Sequence, residues 1–310
     1  MKNKLFYNLS HKFHRIGFYF KSVFIYIKDE RKEKNKIHRF FKAFLINLKL
    51  FNYKNGYYEY LEIPLTTKCS LLCKHCSNLI PCYKRRKDYD SKILLKSIKT
   101  FLECINNIVY VRLLGGEPFL SDNLYDILKY LVKNDKIQII EIVTNGTVVP
   151  NDKKIIKLLK NKYVRISISD YPNVDKTNLI NFLVKHHINY RIDTMNYWMD
   201  YGKPFKRNKS VIQLKKQFSR CNNVCKSLVN GQLHLCPRSS HGTDLKILKN
   251  NESDYVDLLD KSFTIEEKRE KINALFRKKY INACDYCDFG TKESKKIPVA
   301  EQINLNNDAK

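Results

Sequence analysis

Apolar and polar positions change their rhythm near residue 57. Upstream, Phe40, Phe41, Phe44, Leu45 and Leu48 recur at helical spacing within a basic, aromatic stretch. From Tyr57 onward, short runs rich in β-branched and aromatic residues alternate with segments of helical period. Strands are predicted over 57–65, 108–114, 137–144, 163–169 and 188–193. Between them, one helical face carries Ile93, Leu94, Ile98, Phe101 and Leu102, and the next carries Leu124, Ile127, Leu128 and Leu131. A third helix starts after Asn151-Asp152, and a fourth, with Leu179, Ile180 and Leu183, after Asp175. The Asp, Asn and Ser residues before these segments offer side-chain oxygens to the unpaired N–H groups of a helix start. Alternation of this kind predicts an α/β fold of parallel βα units joined by right-handed crossovers. Functional groups then gather where strands run out into the following loops.

Beyond Asp193 the alternation fades. Residues 195–220 read as a basic, irregular connection to a smaller unit. That unit holds a hairpin over 227–235 turning at Gly231, a charged helix over 264–279, and Cys284-Asp-Tyr-Cys287. The stretch from Lys295 reads as a frayed end. The organisation expected is an N-terminal extension (1–56), a core (57–200), a cysteine-rich unit (201–294) and a tail (295–310).

Fifty-eight Lys and Arg against 31 Asp and Glu give a net charge of +27, which raises the question of a nucleic-acid partner. The charge is mostly Lys spread along the chain, alongside abundant Asn, Ile, Tyr and Phe. No reader motif accompanies it, so no specific nucleic acid is expected. No run of about twenty apolar residues is present, which excludes a transmembrane helix. The stretch 16–27 is broken by Lys21 and lacks a small-residue cleavage site, so a cytoplasmic location is expected. For residues 1–56, covering part of a core is the plainer reading and peripheral membrane contact the alternative.

Ten cysteines are clustered, which in a chain without a secretory signal points to metal or redox chemistry rather than disulfides. Cys69-x-x-x-Cys73-x-x-Cys76 follows the first strand directly. Three thiolates on one short loop can hold three irons of a cubane and leave the fourth iron open to an external chelate. Zinc would need a fourth donor. His75 is adjacent to Cys76 and poorly placed to share its centre, and Cys82 reads as a bystander. Cys104 lies on an apolar helix face and reads as core.

These residues resemble the signature of the radical S-adenosylmethionine (SAM) superfamily, C-x-x-x-C-x-aromatic-C, with His75 in the aromatic position. A second element of that family, Gly115-Gly116-Glu117-Pro118, stands at the end of the second strand, where the resemblance implies contact with the amino end of the methionine moiety. Glycine lets a backbone approach a ligand closely, and a carboxylate such as Glu117 can accept from an ammonium group. Thr144-Asn145-Gly146-Thr147 ends the third strand in the family's manner. On the fourth strand, alternation puts Arg165, Ser167 and Ser169 on one face and Val164, Ile166 and Ile168 on the other. The resemblance makes Ser167 and Ser169 candidates for the SAM ribose or carboxylate. Arg191 and Asp193 are candidates too, with a structural ion pair as the alternative. The family's glycine-containing adenine motif is not evident on the fifth strand.

The resemblance implies a partial (β/α)6 TIM-like barrel holding a [4Fe-4S] cluster on Cys69, Cys73 and Cys76, and SAM against His75, Gly115, Gly116, Glu117, Pro118, Thr144, Asn145, Ser167 and Ser169. It implies reductive cleavage of SAM to a 5′-deoxyadenosyl radical that takes hydrogen from a substrate, with an electron donor such as flavodoxin or ferredoxin. It identifies no catalytic acid or base. Cys221-x9-Gly231-x4-Cys236 with Cys284-x-x-Cys287 resembles the twitch type of C-terminal domain, the short relative of the SPASM domain, which implies a second [4Fe-4S] cluster on Cys221, Cys236, Cys284 and Cys287. Cys225 could replace Cys221, and a zinc knuckle from Cys225, Cys236, Cys284 and Cys287 is the alternative. The rear pattern looks like members associated with surface polysaccharide synthesis, which points to a sugar or nucleotide sugar. Peptide maturation is the rival substrate class, and a non-catalytic iron–sulfur or zinc module the rival function.

Overall fold

A computed structural model of the protein describes residues 56–221, 225–249 and 251–303. The amphipathic positions considered for membrane contact lie outside the described residues, among which no helix is long and apolar enough to cross a membrane. Residues from Tyr58 onward pack as one compact unit.

Strands β1 (Tyr57–Thr66), β2 (Asn107–Gly115), β3 (Ile137–Thr144), β4 (Val164–Ser169) and β5 (Tyr190–Asp193) lie side by side in chain order, each parallel to its neighbour from β2 to β5. Helices α1 (Ser91–Cys104), α2 (Leu124–Leu131), α3 (Lys153–Leu159) and α4 (Thr177–Lys185) follow β1 to β4. Sequential order with one helix per crossover is the arrangement of part of a TIM-like barrel. The aliphatic residues Val164, Ile166 and Ile168 are fully buried, as are Ile63 and Leu65 of β1. Helix starts are where acidic residues predicted them. Asp90 Oδ1 accepts from Lys92 N and Ile93 N at 2.9 Å each, and Asp152 Oδ1 accepts from Lys154 N at 2.6 Å.

The opposite strand face is polar. Glu141 of β3 is fully buried between Arg112, at 2.6 Å, and Arg165, at 2.5 Å, with Arg191 at 3.2 Å. Burial alone would raise its pKa, but the three guanidinium groups hold it below the usual carboxylate range. The register pairs Arg112 with Glu141 and Glu141 with Arg165, so this network ties three strands below the site.

The sixth parallel strand is not beside β5. It is β7 (Ser227–Val229), which pairs with β1 and begins the antiparallel run β7, β8 (Gln232–His234) and β9 (Tyr255–Asp257) in the same sheet. Residues on both sides of the expected 200/201 boundary thus contribute strands to one sheet within one packed unit. The hairpin turns at Asn230 and Gly231, both with positive φ (49° and 86°), as its two-residue loop requires. The charged helix, α7 (Ile265–Phe276), starts at Thr264 with a reciprocal cap to Glu267 and packs on α1.

Two expectations are corrected, and one helix was not foreseen. The stretch read as irregular contains α5 (Val211–Arg220), whose reciprocal cap joins Ser210 and Gln213. A further helix, α6 (Pro237–Asp244), starts at Cys236 and buries Arg238, Ser239, Ser240 and His241, a polar set with no apolar period to betray it. The described part of the tail, 295–303, is held: β10 (Lys296–Ile297) pairs with β6 (Trp198–Met199), and Lys74 N and Ile303 N donate to Glu301 O and Leu72 O at 2.7 and 2.8 Å.

Candidate functional site

A cavity of about 890 Å³, counting its open mouth, lies at the C-terminal ends of the parallel strands. Its walls include Cys69, Cys73 and Cys76 from the loop after β1, Gly115 and Gly116 after β2, Thr144 and Asn145 after β3, and Ser169 at the end of β4.

The cysteine loop is an excursion whose two ends are bound together. Thr67 N donates to Lys87 O at 2.9 Å, Lys87 N to Thr67 Oγ1 at 2.8 Å, and Tyr89 N to Leu65 O at 3.2 Å. Lys68 Nζ meets Asp88 at 2.7 Å. Glycine is required beside it: a Cβ on Gly115, which has φ +145°, would lie 2.2 Å from Thr66 O, and one on Gly116 2.0 Å from Lys68 O. The backbone of the second motif is therefore pressed against the root of the first.

Glu117 is fully buried and does not face the cavity. Its carboxylate accepts from Thr144 Oγ1 at 2.9 Å, Asn145 N at 3.0 Å and Phe119 N at 3.1 Å. Burial pushes its pKa up to about 7, with those hydrogen bonds acting the other way. Where the sequence offered the Glu117 side chain to an ammonium group, the structure uses it to join the loops after β2 and β3. Pro118 is buried next to it. Asn145 in turn reaches Ser70 Oγ at 3.0 Å, and Thr147 Oγ1 lies 2.5 Å from it. Ser169 lines the cavity, whereas Ser167 is buried with its hydroxyl on Asp193. Arg191 meets Asp193 at 3.0 Å.

The three front thiols fit a cluster. Each accepts from nitrogen: Cys69 from Leu71 N at 3.5 Å, Cys73 from Gln302 Nε2 at 3.3 Å, and Cys76 from the backbone of Ile80 and Asn78. Burial pushes all three up, Cys76 to about 11 with the N–H groups opposing, so bonding to a metal would offset the cost of a buried thiolate. The rival ligands turn elsewhere. His75 Nδ1 lies 3.3 Å from Asp200, and neither it nor Cys82 lines the cavity. Among the described residues, no three His, Cys, Asp or Glu side chains converge as a single ion would require. Zinc draws thiolates to about 2.3 Å from one point, whereas a cubane spreads them over separate corners.

At the rear, Cys236 is within electrostatic reach of Cys284, Cys221 and Cys287. Lys209 Nζ donates to Cys287 O at 2.6 Å and Cys284 O at 3.3 Å, and Gln217 Nε2 to Cys287 O at 2.8 Å. Burial pushes Cys287 up, while Arg238, the Phe289 N–H, Lys209 and Arg207 pull it back. Four thiols among cationic groups fit an anionic cluster. Cys225 stands apart: its hydrogen-bond partner is Glu62, and both line the front cavity. Cys104 is core, fully buried between α1 and α7.

The model of the Radical SAM superfamily matches residues 63–212, which span the cysteine loop and the strand ends just described. Across this core the chain has the sequence of the radical SAM superfamily. Its similarity to curated relatives is partial. It is 33% identical over 116 residues to a GTP 3',8-cyclase of Clostridium perfringens, covering 36% of this chain and 34% of the relative. A GTP 3',8-cyclase of Clostridium acetobutylicum is 30% identical over 158 residues, 50% of this chain and 48% of the relative. The chain thus spans between a third and a half of the length of these relatives. Among solved structures, BtrN in complex with AdoMet and 2-DOIA aligns with a TM-score of 0.48 at 14% identity, over 77% of this chain and 96% of that one.

Sequence reasoning did not find Glu62, Tyr171, Trp198, Tyr201 or Pro237 in the cavity, nor Gln302 on Cys73. For Glu62 the signal was present, a carboxylate in a mostly apolar strand that carries one other, Glu59. For Gln302 there was none, since the contact spans 229 residues.

Proposed function

We propose that this radical SAM protein is an enzyme that removes a hydrogen atom from a small-molecule substrate, a sugar or nucleotide sugar. The observation carrying this reading is the single cavity shared by Cys69, Cys73 and Cys76 with Gly115, Gly116, Thr144, Asn145 and Ser169. The three thiols would hold a [4Fe-4S] cluster, and the strand-end residues would receive SAM. When bound, the pair supplies reductive cleavage of a carbon–sulfur bond and hence radical chemistry. The protein's part is positioning. Glu117 fixes the loops after β2 and β3, the two glycines bring backbone to the cavity wall, and Tyr171 and Trp198, in edge contact at 5.6 Å, help wall the cavity against competing hydrogen donors. Cys221, Cys236, Cys284 and Cys287 would hold a second [4Fe-4S] cluster with every iron ligated by protein, suited to electron transfer or support. An external one-electron donor of the flavodoxin or ferredoxin class and a reducing compartment, the cytoplasm, follow from this chemistry. The names of the GTP 3',8-cyclases support a nucleotide-like small molecule over a peptide.

The test is anaerobic reconstitution with iron and sulfide, followed by SAM and dithionite. The expected product is 5′-deoxyadenosine, absent from the Cys73→Ala variant. Equal product from wild type and variant would overturn the reading.

A further inference from the structure

Of the five cysteines between 221 and 287, Cys225 is the one that lines the front cavity. Its place is fixed by the sheet. Glu62 is in register with Ser227, and Glu62 N donates to Lys226 O at 2.6 Å, so the residue before Lys226 is carried against β1. There the thiol shares a hydrogen bond with the buried Glu62 carboxyl, which also accepts from Tyr60 Oη at 3.1 Å. Arg112 covers the Tyr60 ring at 5.2 Å.

This setting suits a neutral thiol. Burial and the neighbouring Glu62 both push the Cys225 pKa up, Arg112 and Lys226 opposing, so sulfur keeps its hydrogen at neutral pH. A metal ligand would have to lose it beside a carboxylate. An S–H bond is weaker than an alkyl C–H bond, so a thiol at a cavity wall gives a hydrogen atom to a carbon radical readily.

We propose that Cys225, positioned by Glu62, is the hydrogen-atom donor to a carbon-centred substrate radical in this cavity. The proposal rests on the radical SAM reading and names its reaction class. The radical takes hydrogen from Cys225, a C–H bond forms, the S–H bond breaks, and the unpaired electron passes to sulfur. One electron from the external one-electron donor and one proton, relayed from cavity water through Glu62, restore the thiol. The substrate loses one hydrogen and regains another, which is the balance of an inversion or rearrangement at carbon rather than a net oxidation.

The probe is SAM alone, with the cluster-loaded protein and dithionite in D2O and no reagent thiol. Exchange makes Cys225 an S–D donor, while C–H groups keep protium. Wild type is expected to place one solvent deuterium in 5′-deoxyadenosine, at several-fold the level in Cys225→Ala, with Cys82→Ala like wild type. Cys225→Ser keeps a hydrogen bond to Glu62 but has too strong an O–H bond, so it too should lose the label. Iron content should be unchanged in both Cys225 variants. Loss of iron in the variants would make Cys225 a ligand and overturn the proposal. So would an unchanged label with iron intact. No 5′-deoxyadenosine from wild type at all would instead overturn the radical SAM reading beneath it.

Discussion

The front thiols, Cys69, Cys73 and Cys76, sit on a loop that opens into a cavity, whereas at the rear Cys236 lies within electrostatic reach of Cys221, Cys284 and Cys287. Both groups are half-buried or buried, and burial pushes thiols up in both. What differs is the number of sulfurs and what lies beyond them. At the front three sulfurs line a cavity wall with glycine backbone, while at the rear Cys287 lies among Arg207, Lys209 and Arg238, the last also within reach of Cys236. On the proposed reading, the front site accepts a guest and leaves a corner free, and the rear site only holds or passes charge and closes it.

Ligand removal breaks this comparison most sharply. Cys73→Ala should reduce 5′-deoxyadenosine formation to background, whereas Cys236→Ala should leave SAM cleavage in place and lose about four irons per chain. Iron counting beside product analysis of the two variants checks this, and equal loss of cleavage in both would erase the distinction. Next in size is Gly116→Ala. Its Cβ would fall 2.0 Å from Lys68 O and must displace the cysteine loop. Misplacement of that order costs roughly 10²-fold in rate, measurable as SAM cleavage with the rear cluster's spectrum unchanged.

Smaller effects sharpen the contrast. Gln302→Leu removes the amide N–H that Cys73 accepts at 3.3 Å, and should lower the front potential by on the order of tens of millivolts while sparing the rear. Potentiometric titration reads this directly. Smallest is a pH effect in the metal-free protein. Glu117 is raised from its ordinary 4.5 to about 7 by burial. The folded state therefore holds this proton more tightly than the unfolded chain, so the contribution is present below pH 4.5 and is lost as pH rises through about 7. Thermal melts of wild type and Glu117→Gln across that window should differ in slope, the variant being flatter.

Much of this was legible along the chain. Strands β1 to β5 and helices α1 to α4 follow from apolar period, helped by acidic caps at α1 and α3, because each crossover is local. The front triplet is legible for the same reason, as one loop carries all three thiols. The rear quartet needed three separate segments, and its spacing alone left Cys221 and Cys225 equivalent; pairing of β7 with β1 separates them by carrying Cys225 to Glu62. Helix α5 had a readable signal in Ser210-x-x-Gln213, overlooked because its surroundings are basic. Helix α6 had none, being polar yet buried. The carboxylate of Glu117 was assigned by charge, and only the fold shows that the Thr144 and Asn145 donors claim it first.

The most direct measurement is electron paramagnetic resonance of the dithionite-reduced protein in two forms, one without the rear ligands (Cys236→Ala with Cys284→Ala) and one without a front ligand (Cys73→Ala), each with and without SAM. The front-only form should give a [4Fe-4S] signal whose g values shift on adding SAM, and the rear-only form a signal that does not respond. A front-only signal indifferent to SAM would contradict the open corner.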